Sequence, residues 1–514
     1  MRGRAPFGDA YDADIERAVQ ALAAATGAHA GVFTETAFDD AADGLVKDLS
    51  GVVAPTLFEE FCRVPGRAWL DRTSHVAHDR FIDDLRTGGW DALLERQPLL
   101  PELIRRVVER WSRRYAEGIR HVHEDRDVLA TAFSVDAPLV EATQLAETTV
   151  RLGDARGHRV VYKNRRVTLD VAWAELLRWF NDRGPAHDLM VPTVVDRRDH
   201  GYTDVVVPEP TADHQLEARW HRSGALMCLV HLLGGGDAHE GNVMVCGEHV
   251  VLIDAEKIMR PGIGGADVDD ASVVMTGWLP SQPTYLRCGL VAELFQPRPQ
   301  RWFNVGTDAV RQRPSGAIMA TIRPRIAELF LTHGDRMIAA LSDGFRDAAR
   351  IVRHHGLPLD LFEHTRPRLI VRNSQEYIDA IDAIVQPSVL REPEQLDAVI
   401  DRVVGRPPVS VREVPAIWPA VAAAERDALR SLVIPRFSVW ATGDELVVDD
   451  RAIGTAFVET PIDRAARFVR DLSADAVEGQ VAMIRWSIEG ARRGDFAGGV
   501  PRGFVRAGDL GASI

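Results

Sequence analysis

Near the middle of the chain, a helix, a polar loop and a short β-hairpin follow one another, and this order constrains the fold more than any other feature. Apolar residues at helical spacing predict a helix over residues 214–233, which ends at three consecutive glycines, 234–236. Two short apolar runs, 242–246 and 249–253, predict a tight hairpin directly after the loop. The loop and the end of the second strand should therefore lie around one cleft.

Polar residues in this loop and at the end of the hairpin have the spacing of a kinase-type phosphoryl-transfer site. Asp237 is predicted to accept or orient the proton of the attacking hydroxyl. Asn242 and Asp254 offer the oxygen ligands that Mg²⁺ prefers. His239 is expected to brace the loop, and Glu256 to add a second carboxylate. A polar loop that caps helix ends has a similar composition, so the loop alone is a weak signal.

An upstream lysine strengthens the prediction. A Val-rich segment over residues 149–167 reads as a β-hairpin whose second strand ends at Lys163. A kinase lysine that contacts the nucleotide phosphates occupies such a strand, before the catalytic loop. A helix is predicted over 171–180, with Glu175 as the partner of Lys163. The chain contains no Gly-x-x-x-x-Gly-Lys-Ser/Thr motif, which excludes a P-loop enzyme.

Composition excludes several other classes of protein. The net charge of −14 argues against a broad nucleic-acid surface and against adsorption to anionic membranes. The four cysteines lack the spacing of zinc ligands or of a disulfide framework. No run approaches the roughly 20 apolar residues needed to span a bilayer, and the N-terminus lacks the apolar core of a signal peptide. We therefore expect a cytoplasmic protein without a membrane span.

Several segments resemble motifs of known families. The loop resembles both the aminoglycoside phosphotransferase and choline kinase group and the kinase-like dehydratase domain of class II lanthipeptide synthetases. Four further segments are similar to synthetase motifs: 160–165 (Val-Val-Tyr-Lys-Asn-Arg), 176–181 (Leu-Leu-Arg-Trp-Phe-Asn), 272–280 (Ser-Val-Val-Met-Thr-Gly-Trp-Leu-Pro) and 368–377 (Arg-Leu-Ile-Val-Arg-Asn-Ser-Gln-Glu-Tyr). The resemblance to the synthetases extends from about residue 80 to about residue 490.

This resemblance implies an enzyme that uses ATP and Mg²⁺ to dehydrate Ser and Thr in a ribosomally made precursor peptide carrying a leader. The hydroxyl would be phosphorylated, and the phosphate then eliminated. The residues implied in ATP binding, magnesium binding and phosphate transfer are Lys163, Asp237, His239, Asn242 and Asp254. Arg368 would bind the leaving phosphate, and Ser374 keeps the hydroxyl of a Thr that the family links to elimination. No Cys-His-Cys zinc site follows, so a separate cyclase would close any rings.

The fold expected from these patterns is α+β, with a kinase-like two-lobed core that has a small β-rich lobe and a larger helical lobe. Additional helical regions are expected at both ends. The predicted divisions are 1–145 (mainly helical), 146–235 (N-lobe), 236–390 (C-lobe with the elimination segment), 391–490 (mainly helical) and 491–514 (flexible tail).

The chain departs from the synthetase pattern at several positions, and these departures leave two alternatives open. Glu141 and Thr143 stand where the family has Asp and His, Asn164 replaces a proline, and Gly241 replaces the glutamate before Asn242. One alternative is a small-molecule phosphotransferase of the aminoglycoside or choline kinase type. The other is a non-catalytic protein that binds the leader peptide and presents it to partner enzymes.

Overall fold

The computed structural model describes residues 5–29, 31–262, 272–281, 287–295, 302–312, 315–408 and 415–494, and confirms the predicted α+β class. The helices are α1 (Asp12–Ala25), α2 (Glu35–Phe61), α3 (Val76–Asp84), α4 (Trp90–Arg96), α5 (Leu100–Glu124), α6 (Arg126–Phe133), α7 (Thr168–Asn181), α8 (Leu216–Leu232), α9 (Ser315–His355), α10 (Ser374–Ile384), α11 (Pro387–Leu390), α12 (Pro393–Val404), α13 (Trp418–Arg430), α14 (Pro461–Arg470) and α15 (Ala474–Arg493). The strands are β1 (Leu139–Ala146), β2 (Thr149–Asp154), β3 (Arg159–Lys163), β4 (Val194–Asp196), β5 (Gly201–Asp204), β6 (Val243–Cys246), β7 (His249–Leu252), β8 (Trp302–Phe303), β9 (Arg311–Gln312), β10 (Arg368–Leu369), β11 (Phe437–Ser438), β12 (Glu445–Val448) and β13 (Arg451–Thr455).

A five-stranded antiparallel sheet has the order β1-β2-β3-β5-β4. Its β2–β3 hairpin confirms the Val-rich hairpin expected from the sequence, and Lys163 pairs with Thr149 on one side and with Gly201 on the other. The sheet begins at Leu139, so its first strand lies inside the region 1–145. Lys163 is thus the last residue of a central strand, and pairing on both sides fixes the position of its backbone.

One hydrophobic core lies between this sheet and the N-terminal helices. Trp111 and Tyr115 of α5 are fully buried in it, together with Tyr162 and Tyr202 of the sheet. The indole of Trp111 donates a hydrogen bond to the carbonyl of Ala41 in α2 at 2.8 Å. The sheet face that carries Tyr162 is therefore supported by helices on the N-terminal side of the chain.

A second core forms around α8, α9 and α15. The helices α8 and α9 approach so closely that side chains are excluded at their contact. A Cβ atom added at Gly224 would lie 2.1 Å from the carbonyl oxygen of Leu341, and one added at Gly344 would lie 1.9 Å from that of His221. Glycine is required at both positions, and α8 is held rigidly up to the loop that follows it.

A small sheet of β10 to β13 brings two distant parts of the chain together. Strand β10 pairs with β11 so that Arg368 is opposite Ser438 and Leu369 is opposite Phe437. Arg436, directly before β11, is placed near Arg368 as a result. The sequence predicted strands over 368–372 and near 437–448; the first is shorter than expected because the chain leaves the sheet after Leu369.

Two expectations concern the chain as a whole. Of the predicted tail 491–514, residues 491–493 complete α15, and residues 495–514 lie outside the described part of the chain. Among the residues that the structure describes, no helix combines the length and the apolar character needed to cross a bilayer.

Candidate functional site

The catalytic-loop candidate begins where α8 ends. A Cβ atom at Gly235 would lie 2.5 Å from the carbonyl oxygen of Ile258, so the loop can pass this backbone only with a glycine. The amide of Gly236 donates to the carbonyl of Lys257 at 3.1 Å. Asp237 follows with φ = 69°, a left-handed conformation that is unusual for a residue with a side chain. Such local strain is found where the surrounding structure holds a functional side chain in place.

Two neighbours hold one oxygen of the Asp237 carboxylate, and a third lies near the other oxygen. Lys257 Nζ lies 2.7 Å from its Oδ2, and the amide nitrogen of Asn242 donates to the same oxygen at 3.0 Å. His239 Nε2 lies 3.7 Å from Oδ1. His239 Nδ1 accepts the amide proton of Gly241 at 2.9 Å, which assigns the proton of the neutral ring to Nε2. His239 therefore braces the loop, as predicted.

The β6–β7 hairpin places Asp254 beside this loop. The amide of Ile253 donates to the carbonyl of Asn242 at 2.9 Å, which fixes the end of β7 against the loop. Asp254 follows, and its side chain is 35% exposed. Among the described residues, no hydrogen bond occupies Asn242 Oδ1 or Asp254 Oδ2. These two oxygens are hard donors of the kind that Mg²⁺ takes, so the donor chemistry fits that ion.

Lys163 reaches the same place from the sheet. Its buried ammonium donates to Asp170 Oδ1 at 2.6 Å and to the carbonyl of Ile253 at 3.0 Å. The predicted partner was wrong: Glu175 is exposed on α7, and Asp170, in the first turn of that helix, takes its role. A carboxylate in the first helical turn is also favoured by the helix dipole. Lys163 and Arg165 outweigh the effect of burial and lower the pKa of Asp170 to about 2.

The side chains that meet here form one cluster, which comprises Lys163, Arg165, Asp170, Asp237, Asn242, Asp254, Glu256, Lys257, Arg368 and Arg436. Arg165 connects the carboxylates of this cluster, although the sequence analysis gave it no role. Its guanidinium donates to Asp170 Oδ2 at 2.9 Å and to Asp254 Oδ1 at 3.0 Å, and lies 3.4 Å from Glu256 Oε2. The signal was present, because Arg165 belongs to the motif at 160–165. What the sequence could not show is that its guanidinium contacts the proposed metal-binding carboxylate directly.

Glu256 is the anion at the centre of an arginine cluster. Arg368 forms a close ion pair with Glu256 Oε1, and Arg436 approaches Oε2 at 3.8 Å. The amide of Arg368 also donates to the carbonyl of Glu256 at 2.8 Å. Arg436 was missed, and only the pairing of β10 with β11 brings it here. Arg368 lies at the predicted site, but its partner is a carboxylate of the protein.

The two adjacent carboxylates of the cluster differ in their proton affinity. Burial, together with the negative charge of Glu256, raises the pKa of Asp254 above its usual range, against the influence of Arg165 and Lys163. Burial acts on Glu256 as well, but Arg165, Arg368 and Arg436 outweigh it and lower the pKa of Glu256 to about 2. Asp254 is therefore the carboxylate whose charged form gains most from an added cation.

The remaining predicted elimination residue lies apart from the cluster. Ser374 is the first residue of α10, and no hydrogen bond or ion pair among the described residues joins its side chain to the cluster. Two other members of its motif are structural: Arg372 and Tyr377 both bond the fully buried Glu425 of α13, at 3.0 Å and 2.6 Å. The motif at 368–377 thus divides between the cluster and the core.

The two residues that replace the family's Asp and His have other partners. Glu141 forms ion pairs with Arg151 and Arg159 on the neighbouring strands. The hydroxyl of Thr143 lies 3.4 Å from Asp40 of α2. Among the residues that the structure describes, no hydrogen bond or ion pair joins either side chain to the cluster.

A separate histidine group on the far side of the sheet does not form a metal site. His121, His200 and Asp199 have ligand atoms within 4.8 Å of one another. The two imidazoles, however, are stacked in parallel with centroids 3.6 Å apart, and lone pairs in parallel ring planes do not converge on one ion. Their nitrogens are already engaged, for example by Tyr162 and Asp125 at 2.8 Å and 2.7 Å. This group links α5 to the sheet.

The geometry can be compared with known proteins. No curated protein matches the chain. A family model described as a domain of unknown function (DUF4135) matches residues 98–440, which include every residue of the cluster from Lys163 to Arg436. The match covers more than half of the chain. The chain therefore belongs to the family described as domain of unknown function DUF4135.

Proposed function

We propose that this protein is a kinase-like dehydratase, which phosphorylates Ser or Thr of a ribosomally made precursor peptide with ATP and then eliminates the phosphate. The family to which the chain belongs is associated with the N-terminal dehydratase regions of lanthipeptide synthetases. The motifs that resemble those enzymes supply most of the residues that meet in the cluster.

One observation carries the proposal: residues 253–256 connect three groups that the two half-reactions need. Asp254 contacts Arg165, and the carbonyl before it binds Lys163. Glu256 pairs with Arg368, which is 112 residues further along the chain. A site for phosphoryl transfer alone has no evident need for Arg368, whereas an elimination that releases phosphate requires a cation for it.

The phosphorylation step follows from the loop. The hydroxyl oxygen of Ser or Thr bonds to the γ-phosphorus of ATP, the bond to the leaving ADP oxygen breaks, and Asp237 takes the hydroxyl proton. Lys163 would bind phosphate oxygens while Asp170 holds its ammonium. Asn242 and Asp254 would hold Mg²⁺, which supplies charge neutralisation on the phosphates when bound.

The elimination step needs a base for the α-proton and a cation for the phosphate. Removal of that proton forms the Cα–Cβ double bond as the Cβ–O bond breaks and phosphate leaves. Arg368 would bind the departing phosphate, because a guanidinium presents two donors to such an anion. It would exchange part of its contact with Glu256 for the phosphate, and Arg165 and Arg436 would still hold Glu256.

The test is mass spectrometry of a candidate precursor peptide, encoded beside this chain and rich in Ser, Thr and Cys at its end, after incubation with ATP and Mg²⁺. We expect loss of water with the native chain and no change with Asp254→Asn. Arg368→Lys should accumulate the phosphorylated peptide. Arg366→Lys is the matched control, because Arg366 pairs with Asp450 and not with the cluster; it should dehydrate normally.

Other outcomes would favour the alternatives. Phosphorylation of a small alcohol without any peptide would indicate a small-molecule phosphotransferase. Failure to bind ATP and Mg²⁺ by calorimetry would indicate a non-catalytic leader-binding protein. The contact of Arg165 with Asp254 is the observation that favours this last alternative, because the guanidinium already occupies one oxygen of the proposed metal-binding carboxylate.

A further inference from the structure

Lys257 has no assigned role, yet it joins the loop and the hairpin of the cluster at two points. Its ammonium lies 2.7 Å from Asp237 Oδ2, and its backbone carbonyl accepts the amide of Gly236 at 3.1 Å. The side chain of Lys257 is 15% exposed and that of Asp237 is 30% exposed. The ammonium is thus sheltered, while the carboxylate that it holds remains accessible.

The use of lysine in this chain is an independent observation. Of the 61 basic residues, only three are lysines: Lys47, Lys163 and Lys257. Lys47 is exposed on α2, and the other two contact the cluster. Two of the three lysines of a chain that uses arginine almost everywhere therefore lie in the cluster, where their compact ammonium groups contact carboxylate oxygens at 2.6 Å and 2.7 Å.

The contacts of Asp237 show what the lysine does to its carboxylate. Oδ2 accepts from both Lys257 and Asn242. Among the described residues, no hydrogen bond reaches Oδ1, whose neighbour His239 Nε2 is 3.7 Å away. One oxygen is therefore fixed by the protein, and the other is left to accept a proton from outside it. A carboxylate held in this way is oriented before the substrate arrives.

We propose that Lys257 is the positioning residue for Asp237: it fixes Oδ2 so that Oδ1 faces the substrate hydroxyl. The inference rests on the proposed function, because Asp237 takes the hydroxyl proton in the phosphorylation step. Lys257 acts through Asp237 and not on the nucleotide. Its loss should therefore lower kcat and leave the KM for ATP nearly unchanged.

The experiment measures phosphate transfer from γ-labelled ATP with Mg²⁺, to water and to a pool of Ser- and Thr-containing peptides. The variants are Lys257→Met, Lys257→Arg, Asp237→Asn and the double variant Lys257→Met/Asp237→Asn. Lys47→Met is the matched control, since it removes the one lysine that lies outside the cluster. Thermal unfolding and calorimetric binding of ATP with Mg²⁺ verify that each variant is folded.

We expect Lys257→Met to lower kcat by roughly 100-fold with a KM for ATP within about twofold of the native value. Lys257→Arg, which keeps the charge, should lose roughly tenfold, and Lys47→Met should match the native chain. In the Asp237→Asn background, Lys257→Met should cost less than about threefold, because the group that it positions is gone.

Four results would overturn the inference. Native activity in Lys257→Met, or equal losses in the Met and Arg variants, would show that the charge of Lys257 does not orient Asp237. If the two losses in the double variant multiply, Lys257 acts on a group other than Asp237. If Lys257→Met is unstable, the same comparison is made with Lys257→Arg and the double variant Lys257→Arg/Asp237→Asn. Absence of transfer by the native chain would overturn the proposed function, and this inference with it.

Discussion

The same substitution at two arginines of one short motif should have different effects: Arg372→Met should lower stability, and Arg368→Met should remove activity. Arg372 is 3% exposed and Glu425 is fully buried; Arg372 donates to both carboxylate oxygens, at 3.0 Å and 3.1 Å, and Tyr377 adds a third bond. Arg372→Met leaves Glu425 charged and buried without a cation. Breaking a buried pair from one side costs about 3–5 kcal/mol of the free energy of unfolding.

Arg368→Met should cost far less stability. Arg368 is 23% exposed, and Glu256 keeps Arg165 at 3.4 Å and Arg436 at 3.8 Å after the substitution. The loss of a partly exposed member of such a group is worth about 1 kcal/mol. Arg368→Met should instead abolish release of phosphate from a phosphorylated peptide. Arg372→Met should not affect this release directly, because Arg372 bonds Glu425 in the core.

The assay is thermal unfolding by circular dichroism, combined with mass spectrometry of the peptide. A loss of 3–5 kcal/mol should lower the midpoint for Arg372→Met by on the order of 3–5 °C, against about 1 °C for Arg368→Met, because the entropy of unfolding of a chain of this length is roughly 1.1 kcal/mol/K. The double variant Arg372→Met/Glu425→Leu should recover at least half of the lost stability, because an apolar pair replaces the unpaired charge. Equal midpoints for the two single variants, or no recovery in the double variant, would refute the reasoning.

Two further predictions concern the segment around Lys163. The pKa of Asp170 is lowered from 3.8 to about 2 in the folded state, so its contribution to stability is complete above about pH 4 and is lost as the pH falls towards 2. Asp170→Asn should therefore lower the free energy of unfolding by about 2 kcal/mol at pH 7 and by progressively less towards pH 3, as measured by urea unfolding. Asn164→Pro introduces the proline of the synthetase pattern and should lower the free energy of unfolding by about 1–3 kcal/mol. It removes the hydrogen bond that the Asn164 amide donates to the carbonyl of Thr148 at 2.8 Å, and the side-chain hydrogen bonds with Tyr162 and Glu117. An unchanged urea midpoint would contradict this account.

Local patterns of the sequence predicted much of what the structure shows. The hairpin before Lys163 and the helix, loop and hairpin around Asp237 follow from apolar periodicity and from glycines, signals that act over a few residues. The contacts of Asp237 with Asn242 follow as well, since only four residues of tight loop separate them. These elements carry most of the predicted cluster.

Contacts between residues far apart in the sequence could not be predicted from these local patterns. Arg436 reaches Glu256 only because β11 pairs with β10, two strands of two residues each. Lys163 takes Asp170 in place of Glu175 because α7 begins beside the strand end and turns Glu175 towards solvent. Lys257 follows directly after Glu256, but the left-handed turn at Asp237 is what brings the side chains of Lys257 and Asp237 together.

The departures from the synthetase pattern bear on the second half-reaction. Glu141 and Thr143 are held by neighbouring strands and by α2, so neither is placed to take the α-proton from a peptide at Arg368. His239 carries its proton on Nε2 in the neutral ring, because Nδ1 accepts the amide of Gly241. We expect that a chain that completes dehydration uses Asp237 twice, because Oδ1 of this loop carboxylate accepts no hydrogen bond among the described residues. Asp237 would accept the hydroxyl proton, release it to solvent, and then accept the α-proton. Under the proposed role of Lys257, Lys257→Met should slow elimination from a synthetic phosphoserine peptide as well as phosphate transfer.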